Sequence, residues 1–323
     1  MVQYYKSNNN LQLENGKQLQ DFTVAYHTYG KYEVGKSKVI WVCHALTANS
    51  DVADWWANIF GKDKILDPEK YFIVCANMLG SCYGTTSPTT INSAQKKYGK
   101  SFPYITIRDI VSANIELKNY LGILDIYLLI GGSMGGQQAQ EWAVKEPNTI
   151  KNLVLLATNA KHSAWGIAFN ETQRMALECG ADGLEVARAI AMLSYRNYEM
   201  YERTSKPNET LDNYGACTYQ RHQGEKLAMR FDADCYYTLS KAMDSHDVVR
   251  GKKNIEEALQ KITANTLVIG IASDILFPIK EQVFLYENIP NAVLELIDSP
   301  YGHDGFLTEG EKLNKLIINF LKN

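Results

Sequence analysis

The residues Gly131-Gly132-Ser133-Met134-Gly135 carry the most legible chemistry in this chain. They fit G-x-S-x-G, the nucleophile elbow, in which a serine on a sharp strand-to-helix turn holds its hydroxyl above the sheet edge. A side chain at either flanking glycine would collide with the neighbouring strand or helix. An elbow serine needs a histidine base and a carboxylate to orient that base, in the chain order Ser, Asp or Glu, His. TLVIGIASDILFP places Asp274 at the end of an apolar run, and DSPYGHDGF places His303 just beyond the next one. Alone, Asp274 reads as well as a turn-capping carboxylate, and His303 as an ordinary loop histidine. Their order and their position past strand ends, where open sheets carry their sites, favour a Ser133–Asp274–His303 triad. His27 and His44 precede the elbow, and His162, His222 and His246 fall in a polar helical stretch.

Acyl chemistry at a serine also needs donors for the oxyanion of the tetrahedral intermediate. The first is the backbone N–H after the nucleophile, that of Met134. The second comes from the loop after an earlier strand, here His44-Ala45-Leu46-Thr47 directly after KVIWVC, and Leu46 is the candidate.

The elements that must position these groups are apolar runs of strand length: Lys38–His44, Tyr71–Asn77, Tyr127–Gly131, Lys151–Ala157, Thr266–Ala272 and Val293–Ile297. Helical spacing over Ile107–Leu121, Gln137–Lys145 and Glu309–Leu321 alternates with them. Alternation of this kind predicts a mostly parallel sheet with helices on both faces. Phe22–Tyr29 is expected as an antiparallel edge strand. From Lys161 to Gly251 the alternation stops, and a polar, aromatic, helical segment intervenes. The expected organisation is a core of 1–160 and 252–323 with a helical lid inserted at 161–251.

With 323 residues, 46% hydrophobic and 21% charged, the chain can build a full globular core. Its 33 basic and 36 acidic residues leave a formal charge of −3, which favours neither nucleic acid nor an anionic membrane as partner. No secretory h-region or membrane-length apolar run is visible, and the six cysteines form no C-x-x-C. They read as buried reduced thiols, which predicts a cytoplasmic location and no metal site.

Longer blocks make a specific resemblance. CHALTANSDVADWW (43–56), YFIVCANMLGSCYGTTSPTTIN (71–92), FPYITIRD (102–109), GGSMGGQQAQEWA (131–143), IAFNETQR (167–174) and RFDADCYYTLSKAMDSHD (230–247) resemble the homoserine O-acetyltransferase family. The resemblance implies an α/β-hydrolase fold with a helical lid, a homodimer formed through the lid, and acetyl transfer from acetyl-CoA to the hydroxyl of L-homoserine. It implies Ser133 as nucleophile, Asp274 as acid and His303 as base, with no bound cofactor and acetyl-CoA as co-substrate. Arg188, in GLEVARAIAMLSYR, falls on the arginine that holds the amino acid's carboxylate, and Asp304 on the aspartate that meets its ammonium. Without the family, Arg188 reads as a solvated helix charge and Asp304 as a turn residue. Ser81 and Ser87 replace the family's commoner glycines in a loop expected near the acyl channel, which bears on the choice of acyl donor. The rival readings are an O-succinyltransferase acting on homoserine or serine, and an esterase or thioesterase with the same triad.

Overall fold

The computed structural model describes residues 1–92, 94–204, 212 and 214–322. Its strands are β1 (Gln3–Lys6), β2 (Leu11–Gln12), β3 (Gln18–Leu19), β4 (Thr23–Tyr29), β5 (Val39–Cys43), β6 (Phe72–Ala76), β7 (Ile126–Gly132), β8 (Ile150–Leu156), β9 (Asn265–Ile271) and β10 (Ala292–Ile297). Eight of them form one sheet in the order β1-β4-β6-β5-β7-β8-β9-β10, while β2 and β3 pair separately as a small hairpin. The pairs from β6 through β10 are parallel, and β4 joins both β1 and β6 antiparallel.

Phe22–Tyr29 is therefore antiparallel, as expected, but it is not the edge. That place belongs to β1, whose QYYK is too short and polar to announce itself as a strand.

The central strands are apolar throughout because helices cover both faces of the sheet. In β5, Val39, Trp41 and Cys43 enter one core while Ile40 and Val42 enter the other, the two-residue period of a pleated strand. The helices are α1 (Val52–Trp55), α2 (Ile107–Tyr120), α3 (Met134–Lys145), α4 (Ala164–Glu178), α5 (Gly183–Tyr195), α6 (Tyr198–Thr204), α7 (Gly215–Ala228), α8 (Ala233–Asp244), α9 (Ile255–Leu259), α10 (Ile279–Asn288), α11 (Gly305–Thr308) and α12 (Gly310–Phe320). Helix α3 starts at Met134, ahead of the Gln137 suggested by apolar spacing. The turn at Ser133 hands the chain directly into a helix that is buried almost all round.

Helices α4 to α9 lie between β8 and β9, and the two ends of the segment carrying α4 to α8 close on each other. The Val248 amide donates to the Ala160 carbonyl and the His162 amide to that of His246. Inside it, α4 and α8 are joined by a buried ion pair of Arg174 and Asp244, with N–O 2.6 Å. The α5–α7 crossing is so close that a Cβ on Gly224 would lie 2.7 Å from the Glu185 carbonyl oxygen. All six cysteines are free thiols; Cys43, Cys75 and Cys235 are buried, whereas Cys179 and Cys217 are exposed, contrary to expectation. No helix among the described residues is long and apolar enough to cross a membrane.

Candidate active site

Parallel strands end on one side of a sheet, so the turns that follow β5, β7, β9 and β10 gather at a single edge. Ser133 stands in the turn after β7, at φ 55° and ψ −126°, a left-handed conformation that costs a non-glycine residue strain. Its backbone is clamped from both sides. The Ser133 amide donates to the Leu156 carbonyl at 2.9 Å, and the Thr158 hydroxyl donates to the Ser133 carbonyl at 2.9 Å. The flanking glycines are sterically required. A Cβ on Gly131 would lie 2.2 Å from the Gly135 carbonyl oxygen, and one on Gly135 would lie 2.1 Å from that of Cys43.

The three sequence candidates meet. His303 Nε2 lies 2.8 Å from Ser133 Oγ, and its Nδ1 lies 2.6 Å from Asp274 Oδ2. Asp274 Oδ1 accepts from the Leu276 and Phe277 amides at 2.8 and 2.9 Å, which holds the carboxylate still. With the carboxylate as acceptor, Nδ1 carries the proton and Nε2 faces the serine as a base. Phe277 stacks on the imidazole at 5.0 Å, Phe306 meets it edge-on at 5.3 Å and Tyr195 lies 5.8 Å away. These rings restrict its rotation and keep water off it. Ser133 and His303 are only 7% and 3% exposed.

The loop after β5 is held by His44, whose burial pushes its pKa down to about 4 and keeps it neutral. Its Nδ1 donates to the Ala45 carbonyl, and its Nε2 accepts from the Met78 amide at 3.1 Å. Gln138 of α3 donates to the His44 carbonyl, tying this loop to the helix that begins at the elbow. Leu46 lines the same cavity as Ser133. Its amide meets no protein acceptor among the described residues. The Met134 amide, at the first helical position, has no intrahelical acceptor either. Both candidate donors are thus without a protein acceptor among the described residues.

Ser133, His303, Arg188 and Asp304 line one cavity of about 430 Å³. Arg188 is half-buried and lies over the Tyr195 ring at 5.3 Å, with no carboxylate partner among the described residues. Asp304 has a partner that the sequence reading did not name. Its Oδ2 already sits 3.1 Å from Arg196 Nε. Burial raises its pKa, opposed first by Arg196 and then by Arg188 and His303. Arg196 escaped the sequence reading although it ends the stretch GLEVARAIAMLSYR. Its available signal was position: it follows Arg188 closely in the chain, directly after the last residue of α5. Ser81 and Ser87 are fully buried, and neither lines the cavity that holds Ser133. The loop containing them touches Arg230, which lines that cavity, through the Tyr83 hydroxyl and the Cys82 thiol.

Residues 38–310 match the alpha/beta hydrolase fold family. The curated homoserine O-acetyltransferase of Cyclobacterium marinum is 45% identical to this chain, covering 96% of it and 92% of the relative. The crystal structure of homoserine O-acetyltransferase from Staphylococcus aureus has a TM-score of 0.87 at 29% identity, covering 100% of this chain and 95% of that one. An acetylester hydrolase from Corynebacterium glutamicum reaches a TM-score of 0.88 at 23% identity, covering 100% of this chain and 96% of that one, a likeness of fold alone.

Proposed function

The chain belongs to the homoserine O-acetyltransferase family of the alpha/beta hydrolase fold, and from that premise we propose that it moves an acetyl group from acetyl-CoA to L-homoserine through an acyl-serine. His303 takes the Ser133 proton as Oγ attacks the thioester carbonyl, and the Leu46 and Met134 amides stabilise the oxyanion. The C–S bond then breaks and CoA leaves as the thiol, with the proton delivered by His303. In the second step His303 deprotonates the homoserine hydroxyl, whose oxygen attacks the acyl carbon and releases Ser133. The segment 161–251 acts as a lid that limits hydrolysis of the acyl-enzyme. All six thiols being free suits a reducing, cytoplasmic setting.

An esterase can share this triad and fold, so the charges in the cavity must decide the acceptor. The supporting observation is Arg188, a half-buried guanidinium in the cavity of Ser133 that makes no ion pair among the described residues. It suits the substrate's carboxylate, while Asp304, shared with Arg196, takes the ammonium. An ester hydrolase acting on neutral substrates has no use for such a pair. Arg188→Ala is expected to lower kcat/KM for homoserine at least about thirtyfold, since truncating one partner of a desolvated charge pair costs roughly 2–5 kcal/mol. Acylation by acetyl-CoA alone should hold its rate, and Arg188→Lys should rescue little because an ammonium lacks the planar fork. Equal slowing of both half-reactions would make Arg188 structural.

The lid also supports a homodimer, though through a different surface from the one its sequence suggested. In Asp234–Met243 the apolar side chains Cys235, Tyr236, Leu239, Ala242 and Met243 pack inside the chain. The exposed apolar stripe lies on α5, where Val186 and Leu193 are 50% and 55% exposed and Ile190 between them is half-buried. That is the i, i+4, i+7 face of a helix seeking a partner. Light scattering at micromolar concentration should return twice the chain mass, and Leu193→Asp should return the monomer. A monomeric mass for the unaltered protein would rule this surface out.

A further inference from the structure

The cavity that holds Ser133 has a buried floor and a charged rim. Ser133 and His303 form the floor, whereas Lys226 and Arg230 line the cavity as exposed residues. Lys226 lies on the last turn of α7, and Arg230 follows four residues later, just beyond the end of that helix. Neither makes an ion pair among the described residues, whereas Lys161, another exposed cation, pairs with Asp247. Arg230 is nevertheless held in place. Its Nη1 donates to the Thr47 carbonyl at 2.6 Å and to the Tyr83 hydroxyl at 2.5 Å. One edge of the guanidinium is thereby fixed to the loop carrying Leu46, while Nε and Nη2 make no hydrogen bond among the described residues. A guanidinium fixed at a cavity mouth without a carboxylate is pre-organised for an anion.

We propose that Lys226 and Arg230 form a clamp for the phosphate groups of the acyl-CoA donor, with the pantetheine arm running from this rim down to Ser133. The proposal rests on the reading of the chain as a CoA-dependent acyltransferase. The donor is a thioester joined through a long neutral arm to a diphosphate and a further phosphate. Once the thioester carbon reaches the floor, the anionic end has to emerge where the cavity opens. Phosphate oxygens accept charge-assisted hydrogen bonds from an arginine fork and from an ammonium alike. Rim cations also raise the encounter rate of a polyanion. One carboxylate, Asp54 on α1, shares the rim. It opposes the two cations and so weakens the clamp, which makes its removal a test of the same field with the opposite sign.

The test compares two acetyl donors on the intact enzyme: acetyl-CoA, and the acetyl thioester of N-acetylcysteamine, which keeps the thioester but has no phosphates. The quantity read is the ratio of their kcat/KM values for acylation, followed by thiol release. Lys226→Gln should lower that ratio at least about tenfold, the effect of losing one charge-assisted contact. Lys226→Arg should restore most of it, and Asp54→Asn should raise it. Arg230→Gln should lower the ratio too, but its bonds to Thr47 and Tyr83 make Lys226 the cleaner probe. The KM for acetyl-CoA should climb with salt in the unaltered protein and climb less in Lys226→Gln. A ratio unchanged in Lys226→Gln, or both donors slowed equally, would overturn the clamp. Failure of the unaltered protein to accept either thioester would instead overturn the acyltransferase reading itself.

Discussion

Ser133→Ala is expected to lower acetyl transfer by at least about 10⁴-fold, the scale on which removal of a triad nucleophile acts in serine hydrolases. Among the described residues, no other hydroxyl or thiol is hydrogen-bonded to His303. The fold should survive. Alanine keeps the Cβ that the elbow already accommodates at φ 55°, so the backbone strain is unchanged, and the clamp on the Ser133 backbone uses no atom of the Ser133 side chain. Thiol release from acetyl-CoA reads the activity, and a thermal melt reads the fold. Activity above about one part in a hundred, with an unchanged melt, would mean that the acetyl group travels by another route.

Asp274→Asn is expected to cost roughly 10⁴ in turnover, as loss of the orienting carboxylate does in other triads. In the native site the carboxylate accepts from Nδ1 at 2.6 Å, leaving Nε2 free to take the serine proton. An asparagine turned to donate to Nδ1 makes Nε2 carry the proton instead, and the base is lost in both half-reactions. This contrasts with Arg188→Ala, which should touch the second half-reaction alone. The two backbone donors to Asp274 Oδ1 can still be satisfied by the amide oxygen, so the loop should hold. Single-turnover acylation and deacylation rates separate the two patterns. A fall of less than tenfold would transfer the orienting role to another carboxylate. One alternative, Asp298, is an exposed residue just beyond β10, while Asp274 touches His303 directly.

Much of this site was legible because a strand end is legible. VIWVC, YLLIG, TLVIGIA and VLELI each stop at a polar or glycine residue, and parallel order then places those stops at one edge. The elbow was readable for a related reason: only glycine fits at 131 and 135, so the steric demand is written in the composition. What escaped was long-range pairing. Nothing in the order of residues says that Arg196 turns toward Asp304, since one ends a lid helix and the other follows the catalytic histidine. The same limit applies to the lid surface, where Asp234–Met243 and Val186–Leu193 are both rich in apolar residues. Only packing decides which is buried. Several of the most recognisable blocks turn out to hold the scaffold. In FPYITIRD, Arg108 pairs with Glu14 and Glu141, and Asp109 closes a capping box with Thr106. In IAFNETQR, Arg174 ties α4 to Asp244 on α8.

The covalent intermediate offers the most direct measurement. Acetyl-CoA mixed with the protein in the absence of acceptor, quenched rapidly and digested, should yield one acetylated peptide, with the mass added at Ser133. Addition of L-homoserine before the quench should discharge that peptide and produce O-acetyl-L-homoserine in equal amount. An adduct on any other residue, no adduct at the earliest quench, or discharge to free acetate regardless of homoserine would contradict acetyl transfer through Ser133.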